Sequence, residues 1–308
     1  MAAHDATQTT NDSARATALA LAPVLIVGAP RSGTTWLQRL LLHDPAVCGG
    51  QETHWFVHLD GILREARRKR AMPRPHGVLC HLTEAALFDL MRRTWIDVCT
   101  PVVTASPEAS ILVEKTPDHA CHLDLATTLL PAARVIHVVR SAEAVIASLL
   151  AASRTDWGRP WAPRRAETAA HRWVECVEAA ESAADRLGPE RFLRVRYESL
   201  VERPAAALGR VRRWLGLAAD EAEVQAAIKT NARDTLRSGG GTSIPLLGDA
   251  AGDPTVEPDG FVGDAAARPL GPIGLSGLFG RLRHRRCRRI TQATVRRLDE
   301  RLRRDAEA

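Results

Sequence analysis

The stretch Val24-Leu25-Ile26-Val27-Gly28-Ala29-Pro30-Arg31-Ser32-Gly33-Thr34-Thr35-Trp36-Leu37 constrains the fold of this chain more than any other. Its first four residues are apolar, largely β-branched, and stop at Gly28, which reads as a fully buried parallel strand. From Ser32 the periodicity changes, because Leu37, Leu40 and Leu41 recur at helical spacing. A tight glycine turn must therefore pass the chain from strand to helix. Such a junction suits an anion. The helix start offers N–H groups and the positive end of its dipole, and glycine lets backbone amides converge on a phosphate.

Further along, three apolar runs read as strands: Ser110 to Val113, Arg134 to Val139, and Phe192 to Tyr197. Between them, a helix after the glycine turn should end near His43-Asp44-Pro45, since Pro45 disfavours helix at Asp44. The short segment Val47 to Gly50 then returns Gln51-Glu52-Thr53-His54-Trp55-Phe56 towards the turn. The basic stretch Arg64 to Arg74 and a helix near Glu84 to Val98 form a surface excursion, and helices follow over Ala142 to Ala152, Arg164 to Leu187 and from Pro204. Strands alternating with helices imply an α/β fold, a central parallel sheet with flanking helices and right-handed crossovers. Ligands of such sheets sit at the carboxyl ends of the strands. Arg31, Lys115, Arg140 and Tyr197 all fall at or just after a strand end, which points to one shared site.

The 308 residues suit residues 23–308 as a single domain behind a flexible tail, 1–22. Residues 238–277, rich in Gly, Pro and Asp, read as an irregular lid or loop, and 281–304 as a basic C-terminal helix. A net charge of +6 favours an anionic ligand. Nucleic acid is disfavoured, because no zinc finger or RNA-recognition signature is present and aromatic residues make up only 4%. Six cysteines without a C-x-x-C pair argue against a disulfide framework and for a reducing, cytoplasmic setting. No apolar run approaches the roughly 18–20 residues of a membrane span, and residues 1–22 lack a charged-then-apolar leader pattern.

Gly28 and Gly33 have the spacing of a Walker A loop, but Thr34 stands where that loop carries lysine and Arg31 lies inside the turn. The octapeptide Pro30 to Leu37 resembles the 5′-phosphosulfate loop of sulfotransferases that use 3′-phosphoadenosine 5′-phosphosulfate, PAPS. The resemblance implies that Arg31, Ser32, Gly33, Thr34, Thr35 and Trp36 hold the 5′-phosphosulfate end. It also implies that Arg140 and Ser148, spaced like the family's pair, hold the 3′-phosphate. Tyr197, the only tyrosine, lies in Val-Arg-Tyr-Glu, similar to a family segment near the nucleotide; core packing explains it equally well. A sulfuryl group carries less charge than a phosphoryl, so positioned cations and amides suffice and no metal is expected. The product would be PAP.

The acceptor hydroxyl must lose a proton, ordinarily to a carboxylate or imidazole within hydrogen-bond reach. Glu52, in Glu-Thr-His, resembles the base of tyrosylprotein sulfotransferases, although His54 stands where that branch has Arg. Lys115, in Glu-Lys-Thr-Pro, resembles the family lysine that donates to the leaving oxygen. The cytosolic aryl branch places its base two residues after a lysine, where this chain has Pro117. Glu52 as a cap for the following helix is the plainer reading. His54 with His58, and Asp118, His119, Cys121 and His122, carry metal-ligand types but no H-E-x-x-H pattern. The main alternatives are a P-loop kinase acting on a small molecule and a protein that binds PAP without turnover. The Ala- and Arg-rich composition suggests a bacterial enzyme of specialised metabolism whose hydroxyl acceptor is a small molecule, carbohydrate or glycolipid rather than a protein tyrosine.

Overall fold

The computed structural model of the chain describes Leu21, residues 23–232, Ile244 and residues 292–304. Five parallel strands form one sheet in the order β2-β3-β1-β4-β5, with β1 Val24–Val27, β2 Val47–Gly49, β3 Ile111–Lys115, β4 Arg134–Val139 and β5 Phe192–Arg196. The first strand lies at the centre, and all four of its residues are buried, as its unbroken apolar run requires. Its register sets Ile26 beside Lys115 of β3 and Val27 beside His137 of β4.

Alternate side chains of β1 feed two cores. Leu25 and Val27 join the core under α2 (Trp55–Arg70), α3 (Glu84–Thr104), α4 (Leu123–Leu129), α5 (Ala142–Ala152) and α6 (Ala166–Leu187). Val24 and Ile26 join the opposite core with α1 (Thr34–Leu41) and, beyond the short α7 (Tyr197–Glu202), α8 (Pro204–Leu215) and α9 (Glu221–Thr230). A last helix, α10 (Gln292–Arg304), contributes Val295 and Leu302 to the first core.

Several element boundaries differ from the sequence expectation. The segment Val47–Gly49 is a strand on the sheet edge, too short for its periodicity to announce it. Tyr197 is the first residue of α7 and not the end of β5. The helix from Glu84 continues to Thr104, passing through Pro101. The basic residues Arg64 to Arg70 ride on α2, where the register buries Phe56, Leu59, Leu63 and Ala66 and turns the arginines outward. The tail 1–22, the region 238–277 and residues 281–291 lie outside the described residues, except Leu21 and Ile244. Ile244 is buried, and its carbonyl accepts a hydrogen bond from Gln51 Nε2 at 3.1 Å.

Candidate active site

The chain crosses from β1 to α1 under β4 so closely that a Cβ on Gly28 would lie 2.4 Å from the Val138 carbonyl oxygen. The Gly28 N–H donates to the Pro117 carbonyl at 3.2 Å, which ties the turn to the segment after Lys115. Arg31, at φ 76°, and Gly33, at φ 93°, make the reversal in the left-handed region. Glycine is required at 33 for a second reason, since a Cβ there would lie 2.3 Å from Tyr197 Cδ2. No side chain caps α1, so the N–H groups of its first turn, at Thr34, Thr35 and Trp36, face the turn's interior. Ser32 Oγ is buried and has no hydrogen-bond partner among the described residues. A buried hydroxyl left so costs about 1–3 kcal/mol. An anion rich in acceptor oxygens would relieve it, and the loop fits a phosphate on that ground.

Two arginines from different elements meet at this turn. Arg31 Nε donates to Ser148 Oγ on α5 at 3.1 Å. Arg140, just past β4, donates from Nη1 to the Arg31 carbonyl at 3.0 Å, and its guanidinium carbon lies 4.4 Å above the Tyr197 ring. The Arg31 guanidinium lies 5.6 Å from the ring centre of Trp157, itself edge-on to Trp161. Such stacking holds a guanidinium plane without consuming its donors. On the other side, Trp36 packs edge-on against Tyr197 at 6.0 Å, while its Nε1 donates to the Asn231 carbonyl at 3.0 Å. The backbone around Arg140 is pinned twice. Trp173 of α6 donates to its carbonyl at 3.0 Å, and Glu198 accepts from the Ser141 N–H at 2.9 Å.

Next to the loop, the ends of β2 and β3 bring Glu52, His54 and Lys115 together. Lys115 Nζ donates to Glu52 Oε1, and His54 Nε2 lies 3.3 Å from Glu52 Oε2. The Lys115 side chain is buried, whereas Glu52 and His54 remain 34% and 44% exposed, so the carboxylate and imidazole stay open to solvent. Burial pushes the Glu52 carboxyl up, but the His54 hydrogen bond and the Lys115 charge outweigh it and hold the group down at about 2. The same hydrogen bond raises the His54 ring above its ordinary 6.5, against its burial. Glu52 does not cap the helix that follows. His54 occupies that position, at φ 50°, and its side chain makes no capping bond to the helix. Among the described residues, Arg31 and His54 are the two non-glycine residues with positive φ, and both lie in the site. Backbone strain of this kind, about 1–3 kcal/mol per residue, persists where surrounding structure enforces it.

Around His54 the enforcing group is Glu114, a residue that sequence reasoning passed over. Its carboxylate, buried beside Lys115, accepts from Thr53 Oγ1 at 2.9 Å, Thr116 Oγ1 at 2.6 Å and the Thr53 N–H at 3.4 Å, and pairs with His119 Nδ1 at 2.9 Å. Thr116 Oγ1 in turn accepts from the His54 N–H at 3.3 Å, and His119 Nε2 from the Phe56 N–H at 3.2 Å. Glu114 thus clamps residues 53–56 onto the end of β3. Its only sequence signal was a carboxylate directly continuing the apolar run of β3, since a charged residue in a buried strand must have partners.

Of the groups weighed as metal ligands, His119, His122 and Asp118 have other partners. His119 serves Glu114, His122 Nδ1 lies 2.8 Å from Asp60, and Asp118 accepts from Arg172 at 2.5 Å. Among the described residues, no group of three or more such side chains could hold a metal ion. Nor is any described helix long and apolar enough to cross a membrane.

A parallel sheet with a glycine loop at the end of its central strand, and an arginine brought to that loop from the neighbouring strand, defines a P-loop-type fold. The family model described as "Sulfotransferase family" matches residues 23–221, and the chain belongs to that family. It is similar to nodulation protein NoeE of Sinorhizobium fredii, 28% identical over 62% of this chain and 49% of that protein, so it spans about half the length of this relative. Among solved structures, it is similar to the sulfotransferase domain of the Synechococcus olefin synthase, 20% identical over 91% of this chain and 94% of that one, with a TM-score of 0.49. It is also similar to the sulfotransferase domain from the curacin biosynthetic pathway, 19% identical over 67% and 77%, with a TM-score of 0.46. A mouse sulfotransferase complexed with PAP is 11% identical over 70% and 66%, with a TM-score of 0.45.

Proposed function

We propose that this chain transfers the sulfuryl group of PAPS to a hydroxyl of a small-molecule, carbohydrate or glycolipid acceptor. What carries the reading is the pairing, at one sheet end, of a phosphate cradle holding a buried, unpartnered Ser32 hydroxyl with a Glu52–Lys115 acid–base pair. PAPS supplies an activated sulfuryl group flanked by a 5′-phosphate, with a 3′-phosphate further off. Arg31, the Ser32, Thr34 and Thr35 hydroxyls and the first-turn amides around Gly33 bind the phosphosulfate end. Arg140 and Ser148 bind the 3′-phosphate, while Trp36 and Tyr197 wall the nucleotide.

Glu52 takes the acceptor proton, with His54 steadying the charge that develops. In the structure Lys115 is spent on Glu52, which makes Glu52 a weak base. When Lys115 turns its donors to the leaving oxygen, one interaction that depresses Glu52 is withdrawn, and the carboxylate becomes more basic as it is needed. Binding of the donor and activation of the acceptor are thereby coupled through one ammonium group. No metal is part of this scheme, since the charge is met by Arg31, Lys115 and the loop amides. The cytoplasm of a bacterium and specialised metabolism fit this reading, which extends the resemblance of the sequence.

PAP in the absence of Mg²⁺ is expected to raise the melting temperature of the protein; at a hundredfold excess over Kd the stabilisation amounts to about 2.7 kcal/mol. Stabilisation by ATP with Mg²⁺ but not by PAP would turn the reading to a P-loop kinase.

A further inference from the structure

Two thiols meet outside the crevice, in the seam between the turn Pro117–His122 and helix α6. Cys121 of the turn and Cys176 of the helix hold their Sγ atoms 3.6 Å apart, within hydrogen-bond reach for sulfur. Cys121 is exposed and Cys176 is buried, so one thiol meets solvent while the other waits behind it. The seam has its own anchor. Arg172, one helical turn before Cys176, donates to Asp118, three residues before Cys121, at 2.5 Å. The thiols are therefore held in register by an ion pair independent of them. None of the proposed steps of sulfuryl transfer uses either sulfur.

We propose that Cys121 and Cys176 are a reversible oxidation site that closes to an intramolecular disulfide on exposure to a hydroperoxide. The Cys121 thiolate attacks the terminal peroxide oxygen, the O–O bond breaks, and the released oxide leaves as water or an alcohol after taking a proton. That forms a sulfenic acid on Cys121. The Cys176 sulfur, having given up its proton, then attacks Cys121 Sγ and expels the sulfenic oxygen as water. In sum, two thiols and one hydroperoxide yield one disulfide, one water and one further water or alcohol. The order of roles follows from access, because the exposed sulfur meets the oxidant and the buried one resolves. Its chemistry agrees. The hydrogen bond with Cys176 lowers the Cys121 thiol against its burial, with Arg172 acting in the same direction, while the same contact and burial raise Cys176. By contrast, burial raises Cys48 and Cys99, and Cys80 is exposed but has no thiol at hydrogen-bond distance among the described residues.

Peptide mapping of the full chain tests this without any substrate. The reduced protein is treated with an equimolar amount of hydrogen peroxide, remaining thiols are blocked with iodoacetamide, and a non-reducing tryptic digest is read by mass spectrometry. Trypsin separates the two cysteines into Thr116–Arg134 and Trp173–Arg186. The expected product is those two peptides joined, lighter by the two hydrogens lost, and released by dithiothreitol. In Cys176→Ser, Cys121 should accumulate as a sulfenic acid trapped by dimedone, and in Cys121→Ser the linked pair should vanish. Oxidation of Cys80 ahead of Cys121, or linkage of Cys121 or Cys176 to any other cysteine, would overturn the proposal. The wild-type map decides by itself if a serine variant fails to fold.

Discussion

At the glycine loop after β1 a buried hydroxyl, Ser32, has no partner among the described residues, whereas at the Glu52 corner, where β2 and β3 end, every charged group already has one. The loop end carries a standing cost in an unmet hydroxyl and in the positive φ of Arg31, which a bound anion would offset. The corner is charge-balanced in advance. Glu52 is held by Lys115 and His54, and Glu114 by Thr53, Thr116 and His119. The two ends therefore answer to different ligands. In the proposed reading, one captures an anion and the other exchanges partners during the reaction.

The sharpest test of that division is Glu52→Gln, which preserves shape but removes the proposed base. A loss of roughly 10² to 10⁴ in kcat is expected, with PAP affinity by calorimetry unchanged. His54→Ala should be milder, and the reverse ranking in folded, PAP-binding variants would move the base to His54. The pH dependence has a definite sign. Glu52 is lowered from 4.5 to about 2 on folding, so its stabilisation is complete above 4.5 and is lost as pH falls towards 2. The Gln variant should accordingly lose less stability across that acid range than the wild type. His54 is raised from 6.5 chiefly by the Glu52 hydrogen bond, so its NMR titration should shift downward in the same variant; an unmoved titration would disconnect the pair.

A smaller effect is expected at the other end. Arg140→Ala should weaken PAP by about 10- to 100-fold, the range of one charged hydrogen bond at 1.5–3 kcal/mol, and raise the KM for PAPS more than it lowers kcat. Equal loss in both kinetic constants would show that the two ends are not separable. Smallest is Tyr197→Leu, which removes the ring beneath Arg140. A cation–π contact of about 0.5–1 kcal/mol predicts PAP binding weaker by about two- to fivefold. A collapse of the fold instead would mean that Tyr197 acts mainly in the core beside Gly33.

Much of this molecule was legible before any coordinates. The apolar run Val24 to Val27, the glycine turn and the three later strands are local patterns, and local hydrogen bonding and burial decide local patterns. That Arg31, Lys115 and Arg140 stand at or just past strand ends on one edge was legible for the same reason, since parallel strands deliver their carboxyl ends to one edge. Glu114 was not. It lies 61 residues from Thr53, and a buried carboxylate is intelligible only once its four donors are in view. Cys121 and Cys176 were scattered thiols in the sequence for the same reason, and only the packing of the turn against α6 sets their sulfurs together.

By itself, then, the chain's sequence determined a parallel sheet, a phosphate loop and which cations stand at strand ends, because backbone periodicity and turn chemistry act over a few residues. The tertiary structure alone decided the edge position of β2, the seat of Trp173 behind Arg140, the clamp at Glu114 and the Lys115–Glu52 ion pair. These depend on strand order, which brings residues 33 to 63 positions apart within hydrogen-bond distance, and no local pattern encodes that.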